Sequence, residues 1–384
     1  MTLSYWLDRQ YTPREPLLDV VTTQYCIVGG GITGVSLAYY LAKLGKHVIL
    51  LEADEIASKA SGRNGGLLVP GLEKRYDLCV QDYGRPVAHK IWQLTSQAIE
   101  IMKTLCEEEH IDAQFLQEGV IKYAMNQEEL NDLITRHAPY SQLLTKEEAQ
   151  KKSLRKCVGA LEYPKGASYD PATFVRGLAR LAEEEGATLY ENALVVDWIH
   201  QTDHYSIETS GGVVHAQKII LCTNAYTKEL IDLPIRPVRN QALATSSFKR
   251  TLTGGHYSAD GWMYFKQTPS GEVILGGGRD KDKKTEETDV DDLNPTIQGY
   301  LTNYLGNLPL SGAFAITHRW AGIMGFTPDK LPIIGEVKKD IHVLAGFSGL
   351  GNALGFLCAK EYAQKLINGF CELPLEPFSP KRFS

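Results

Sequence analysis

The chain has 384 residues, enough for about two domains. Its 43% hydrophobic and 22% charged content is ordinary for a globular protein, and a formal net charge of -6 without a basic stripe excludes a nucleic-acid binder. Seven scattered cysteines (Cys26, Cys79, Cys106, Cys157, Cys222, Cys358, Cys371) form no C-x-x-C pair, which excludes a zinc ribbon or redox dithiol and fits reduced, cytoplasmic thiols.

The first twenty residues carry Asp8, Arg9, Arg14, Glu15 and Asp19 and do not read as a signal peptide. Residues 23–28 and 47–51 read as buried parallel strands joined by a helix over 32–44. The apolar run near 26–42 is broken by glycines and falls short of the roughly twenty residues a membrane span needs, so no stable membrane insertion is expected. The turn between strand and helix is Gly29-x-Gly31-x-x-Gly34, and an acid, Glu52, follows the second strand. Gly29 permits the tight turn, Gly31 lets the backbone approach a pyrophosphate, and Gly34 lets the helix lie against the strand. The helix N-terminus offers free N–H groups and a positive dipole end to phosphates. Glu52 stands where a carboxylate accepts hydrogen bonds from ribose hydroxyls. A bound dinucleotide is the expectation.

Residues 57–71 form a loop rich in Gly and Ser, in which Arg63 and Asn64 are placed to meet phosphates or a flavin edge. Helical spacing marks a long helix over 84–110. A strand follows at 119–125, then a polar, helical 127–144 and a capping box, Thr145-x-x-Glu148. A helix over 172–185 precedes strands at 188–191, 193–199, 205–209, 213–215 and 218–222. The return to parallel-strand character makes the nucleotide domain discontinuous. Residues 235–317 read as β-rich, with the charge run 281–292 a solvated loop or helix start. A strand at 341–345, a glycine-rich turn at 346–351 and a helix at 352–367 close the chain. That second strand–turn–helix favours FAD over NAD, because a helix N-terminus near Gly351 and Asn352 would place positive potential at the flavin pyrimidine edge.

Other chemistries fail. Ser348 resembles a hydrolase nucleophile, but the elbow needs glycine at position 350, which is Leu350. No H-E-x-x-H or clustered His/Cys spacing occurs, so no metal is expected. The ten histidines, His256 and His318 among them, read as surface or satisfied residues.

Several segments together resemble one family: residues 4–7 (Ser-Tyr-Trp-Leu), 60–66 (Ala-Ser-Gly-Arg-Asn-Gly-Gly), 223–226 (Thr-Asn-Ala-Tyr), 320–335 beginning Trp-Ala-Gly, and 345–351 beginning Ala-Gly-Phe-Ser-Gly. Nearly the whole chain resembles the FAD-dependent amine and amino-acid oxidoreductases of the glycine, sarcosine and D-amino-acid oxidase type, nearest to gamma-glutamylputrescine-oxidase-like proteins. The resemblance implies an α/β (α+β) fold with a Rossmann-like, discontinuous FAD-binding domain (1–75, 150–234, 318–384). A substrate domain (76–149, 235–317) would carry an antiparallel sheet over the flavin. It implies noncovalent FAD held by Gly29, Gly31, Ile32, Thr33, Gly34, Glu52, Ser61, Arg63, Asn64, Gly65, Gly66, Val195, Thr223, Asn224, Gly322, Gly346, Gly349, Leu350, Gly351, Asn352 and Ala353.

The implied chemistry is hydride transfer from the carbon beside an amine to flavin N5. Hydrolysis of the imine follows, with oxygen or another acceptor reoxidising the flavin. Tyr264 and Met324 would line the substrate pocket. Met324 stands where amino-acid oxidases of the family carry a carboxylate-binding arginine, so an amine is expected rather than an α-amino acid. Ala353 stands where sarcosine oxidases carry a lysine, which leaves room for a dehydrogenase using a quinone or protein acceptor. A flavoprotein with a binding role and no catalysis is the remaining alternative.

Overall fold

The computed structural model describes residues 2–152, 156–258 and 261–383. The chain divides into two compact units. One comprises Arg9–Gly62, Ala172–Pro237 and Met324–Ser384, and the other Met1–Asp8, Arg63–Pro171 and Val238–Ile323. They are called here the nucleotide unit and the sheet unit.

The nucleotide unit is built on a sheet with the order Ile333–Lys338, Ile341–Ala345, Val213–Leu221, Val20–Val28, Val48–Leu51, Thr188–Tyr190. Val20–Val28 pairs in parallel with both Val213–Leu221 and Val48–Leu51. Val48–Leu51 is buried along its whole length, as a strand covered on both faces must be. Cys26, Val28, Ile219, Leu221, Val343 and Ala345 belong to the core on one face. Helix Ile32–Lys43 ends at Leu44 ahead of Gly45, whose φ is +72°, a left-handed stop suited to glycine. Residues 213–222, expected as two strands, form one, Val213–Leu221.

The sheet unit carries an antiparallel-rich sheet with the order Ile316–Phe326, Arg236–Thr245, Val273–Gly277, Met263–Gln267, Gly255–Ser258, Val120–Ala124, Gly159–Tyr163, Gln142–Leu144. One face packs Ile121, Tyr123, Leu243, Phe265 and Leu275 with Ile297, Leu301 and Leu305 of helix Pro295–Gly306. That helix lies inside the segment read as β-rich. Its start is conventional: Asn294 Oδ1 accepts the Thr296 N–H at 3.0 Å, and Pro295 opens the first turn.

Three further expectations change. The polar 127–144 helix stops at Thr135, and Gln142–Leu144 is a strand paired with Gly159–Tyr163. Pro139 cannot continue the helix and disfavours it at the preceding residue. The capping box does form, with the Thr145 N–H donating to Glu148 Oε2 at 2.8 Å and the Glu148 N–H to Thr145 Oγ1 at 3.3 Å. The compact units are drawn differently from the expected domain limits, with residues 1–8, 63–75, 150–171 and 318–323 in the sheet unit. The short strand Leu67–Leu68 pairs there with Ala167–Ser168.

The charge run 281–292 is not simply solvated. Glu286 is 1% exposed. It accepts from Arg239 Nη2 at 2.9 Å, Asn294 Nδ2 at 2.9 Å and Gln241 Nε2 at 3.2 Å. Asp291 pairs with Arg63 at 2.7 Å. Two acids of the run are thus anchors, because a buried cation on a neighbouring element requires a partner.

Candidate active site

In the nucleotide unit the glycine turn is set by contact. A Cβ on Gly29, whose φ is +111°, would lie 2.7 Å from the Cys222 carbonyl oxygen, and one on Gly34 only 1.9 Å from the Gly29 carbonyl oxygen. Glu52 is buried, and burial raises its carboxyl above the usual range, opposed by two backbone donors. Its Oε2 accepts the Gly30 N–H at 2.6 Å and its Oε1 the Asp54 N–H at 2.9 Å. Both oxygens therefore work inside the fold, and each keeps a second lone pair for a hydroxyl donor. Ser61 Oγ accepts the Ile32 N–H at 2.9 Å, so this side chain satisfies the first donor of the helix. Thr33 Oγ1 lies against Gly355. Val195 is a core residue beside Ala193, whose N–H bonds the Glu52 carbonyl at 2.9 Å.

The closing turn is also in this unit. Asn224, at φ +45°, directs Oδ1 to the Gly346 N–H at 3.0 Å and the Phe347 N–H at 3.4 Å. Thr223 Oγ1 bonds Thr227 Oγ1 at 2.9 Å. Gly346, Ser348 and Gly349 have positive φ, after which Leu350 leads into helix Gly351–Asn368. Ser348 Oγ donates to the Gly346 carbonyl at 3.3 Å, so the hydroxyl serves the turn. Ala353 is buried in the first helical turn. A Cβ on Gly349 would lie 3.7 Å from Met324 Sδ.

Both helices that open at glycine turns, Ile32–Lys43 and Gly351–Asn368, lack a side-chain hydrogen bond from the N-cap residue and an acid in the first turn. The positive dipole ends of both helices therefore meet no acid of their own first turn, which suits them to an anionic ligand. The cradle fits the pyrophosphate and the electron-rich pyrimidine edge of FAD.

In the sheet unit, residues 63–66 are held by their carbonyls. Trp320 Nε1 donates to the Arg63 carbonyl at 2.8 Å, and Trp6 Nε1 to the Asn64 carbonyl at 2.8 Å. Lys266 Nζ donates to the Gly66 carbonyl at 3.1 Å. A trans peptide points its N–H opposite to its carbonyl. With these carbonyls turned toward buried donors, the N–H groups of Asn64 and Gly65 face the other way. Gly65 is buried, and its N–H has no acceptor among the described residues. An orphaned buried donor calls for a partner, and a flavin polar edge would fit that need.

A Cβ at Gly65 would meet the Tyr264 ring at 2.3 Å, so the loop lies on the face of the sheet that carries Tyr264. Burial lifts the Tyr264 phenol above its ordinary range, so it stays protonated. Its oxygen accepts from Asn240 Nδ2 at 3.4 Å.

Arg63 departs from its expected part. Its Nη1 donates to Asp291 Oδ2 at 2.7 Å, Thr2 Oγ1 at 3.1 Å and the Ala321 carbonyl at 3.1 Å. A Cβ on Gly322 would lie 3.1 Å from Arg63 Cβ. The side chain is a clamp within the unit, and Asn64 Oδ1 adds to it by accepting the Gly66 N–H at 2.8 Å. Trp6 and Trp320 stood in the segments that carry the family resemblance, but their part in holding this loop went unread, as did Asp291 and Lys266; Lys266 had a local signal, two residues from Tyr264 on the same strand face.

His256 is also corrected. It is buried, stacked on Phe265 at 4.7 Å, and burial lowers its pKa to about 4, so it is a neutral core residue. Among the described residues no group of three His, Cys, Asp or Glu could hold a metal, and no helix is long and apolar enough to cross a membrane.

The profile of the family described as "DAO: FAD dependent oxidoreductase" matches residues 24–365. The chain belongs to this family and is an FAD-dependent oxidoreductase of the kind that acts on CH–NH groups. It is 27% identical to the gamma-glutamylputrescine oxidoreductase of Escherichia coli, over 98% of this chain and 93% of that protein. It is 26% identical to the probable oxidoreductase OrdL of Haemophilus influenzae, over 95% and 88%. Among solved structures, L-proline dehydrogenase from P. horikoshii is similar with a TM-score of 0.79 and 25% identity, over 94% of this chain and 98% of that one. Glycine oxidase from Geobacillus kaustophilus shares the fold, with a TM-score of 0.81, 22% identity, and coverage of 94% and 99%.

Proposed function

We propose that the protein oxidatively deaminates an amine that lacks an α-carboxylate. The observation that carries this reading is Met324, a neutral thioether against the closing turn at Gly349, where the family resemblance expects an arginine. Without that cation a free α-carboxylate loses its charge-assisted bidentate partner.

When bound, FAD would supply the two-electron oxidation of the carbon beside nitrogen. Around it the protein binds and orients. The glycine turn with Glu52 and Ser61, the 63–66 loop, Thr223 and Asn224, and the 346–353 turn hold the cofactor. Tyr264 in the sheet unit and Met324 in the nucleotide unit are the residues proposed to meet the amine. Tyr264 is a neutral phenol, so it orients by hydrogen bonding and does not act as base. The amine reacts in its neutral form, which apolar, aromatic walls favour by disfavouring the ammonium. Water then hydrolyses the imine to a carbonyl compound and releases the nitrogen product.

Oxygen is the proposed acceptor. Ala353, where a lysine was expected, favours a second reading with a quinone or protein acceptor. None of the seven cysteines is in a disulfide, and six of them are buried, in keeping with a cytoplasmic location.

An anaerobic panel tests the substrate. Amines, acyl-polyamines, N-methyl amino acids and D-amino acids are mixed with holoenzyme and flavin bleaching is followed. Bleaching by amines is expected, and rapid bleaching by simple D-amino acids overturns the reading. Mixing the reduced enzyme with oxygen then separates oxidase from dehydrogenase. A second measurement concerns attachment. Acid precipitation should leave all yellow colour in the supernatant, and colour in the pellet would show a covalent flavin.

A further inference from the structure

The substrate face of the sheet unit contains a row of residues in register. Gly276 pairs with Tyr264, Tyr264 with Tyr257, Tyr257 with Lys122, and Lys122 with Leu161. Their sequence neighbours Leu275, Phe265, Ile121 and Ala160 lie in the core on the opposite face. Side chains alternate along a strand, so the row shares the other face.

Gly276 makes room for the tip of Tyr264, since a Cβ there would lie 2.2 Å from the phenol oxygen. The Tyr264 and Tyr257 rings are 6.1 Å apart. Lys122 Nζ lies 5.6 Å from the Tyr257 ring centroid and 6.0 Å from that of Tyr163. Lys122 is half-buried, and its ammonium makes no hydrogen bond or ion pair among the described residues. Two other charges face this region. Glu73 acts on both Tyr257 and Arg279, and Arg279 lies over the Trp262 ring at 4.6 Å. Neither neutralises Lys122 by direct contact.

A half-buried ammonium between two aromatic rings, with no carboxylate of its own, is a site for an anion. We propose that Lys122 binds an anionic group, a carboxylate, at the far end of the amine substrate. The inference rests on Tyr264 lining the amine pocket. Neighbouring strands are about 4.8 Å apart, so Tyr264 and Lys122, two strands apart, are separated by about 10 Å. The substrate class is therefore an extended amine whose carboxylate lies about 8–10 Å from the reacting nitrogen, with the linking chain crossing Tyr257.

The experiment compares matched pairs on the holoenzyme, 8-aminooctanoate with octylamine and 6-aminohexanoate with hexylamine, by rates of anaerobic flavin reduction. The carboxylated member of the longer pair should be favoured by about 10- to 100-fold, as expected of a hydrogen bond to a charged group. The preference should shrink in the shorter pair. In Lys122→Met the ratio within the longer pair should fall toward one, and Lys122→Arg should keep most of it. Octanoate added to oxidised holoenzyme should perturb the flavin absorbance more weakly in Lys122→Met than in the wild type. Amines that bleach the flavin with no preference for the carboxylated member would overturn the anion site and leave the amine reading standing. No bleaching by any pair would overturn both.

Discussion

Lys266→Met should weaken FAD binding by about tenfold or more, read by titrating apoprotein with FAD, and should lower the Tm. The Lys266 side chain is 3% exposed with its residue. It donates to the Tyr169 carbonyl at 2.6 Å and the Gly66 carbonyl at 3.1 Å, and it lies 4.7 Å from the Trp6 ring centroid. Methionine has nearly the same length and no donor. Each buried carbonyl that loses its only strong donor costs about 1–3 kcal/mol. Gly66 keeps one bond, from the Tyr169 N–H at 2.9 Å, which limits the cost at that carbonyl. Losing the lysine donor on the Gly66 carbonyl should loosen the 63–66 loop, whose Asn64 and Gly65 N–H groups are proposed to meet the cofactor. Lys266→Arg should retain most of the affinity.

Burial lowers the Lys266 pKa to about 7, opposed by the more distant Asp170 carboxylate. Below pH 7 the side chain is charged in folded and unfolded chains alike, and burying that charge is a constant cost. Between about pH 7 and the unfolded value near 10.4, the unfolded chain holds the extra proton. Folding stability therefore rises with pH through that window. The wild type should gain stability relative to Lys266→Met as pH is raised from 7 to 10. A difference that stays flat, or has the opposite slope, would show that Lys266 is not depressed.

The second large effect concerns Glu286. Glu286→Ala should destabilise the fold by about 3–5 kcal/mol in urea or thermal unfolding, because it leaves the buried Arg239 guanidinium without its counter-charge. Arg239 is 5% exposed, and its backbone N–H also bonds the Glu286 carbonyl at 2.8 Å. Its Nη1 holds the Val290 carbonyl at 3.1 Å, one residue before Asp291. Loss of Glu286 should thus loosen the segment that presents Asp291 to Arg63, and proteolysis within 281–292 should quicken. A paired replacement, Arg239→Met with Glu286→Leu, removes both charges and should recover much of the stability. If the single and paired variants are equally unstable, the ion pair is not the source.

The sequence disclosed those parts of the site that are local. Gly29, Gly31 and Gly34 impose a turn through contacts within a few residues or with an adjacent parallel strand, and the closing turn at 346–351 does the same. The capping box at Thr145 and Glu148 was readable for that reason. The clamp on residues 63–66 was not. Trp6, Lys266, Asp291 and Trp320 come from distant points of the chain, and nothing near Asn64 specifies which indole meets its carbonyl. The charge run misled for a related reason. Its composition is that of a solvated loop, and the burial of Glu286 depends on Arg239, about 50 residues earlier. The helix at 295–306 had its signals, Asn294 and Pro295, and was hidden by the strands around it.

The clamp also dictates an order of assembly. Residues 63–66 leave the ribosome early, and two of the groups that fix them, Thr2 and Trp6, precede them. Lys266, Asp291 and Trp320 are made last. In the nucleotide unit, Asn224 likewise waits for the Gly346 and Phe347 amides. Neither the 63–66 loop nor the closing turn is fixed until nearly the whole polypeptide has been synthesised. Such long-range closure is slow and leaves partly folded chains exposed. FAD capture should therefore come late, and supplying flavin during refolding should matter more for yield than supplying it during elongation.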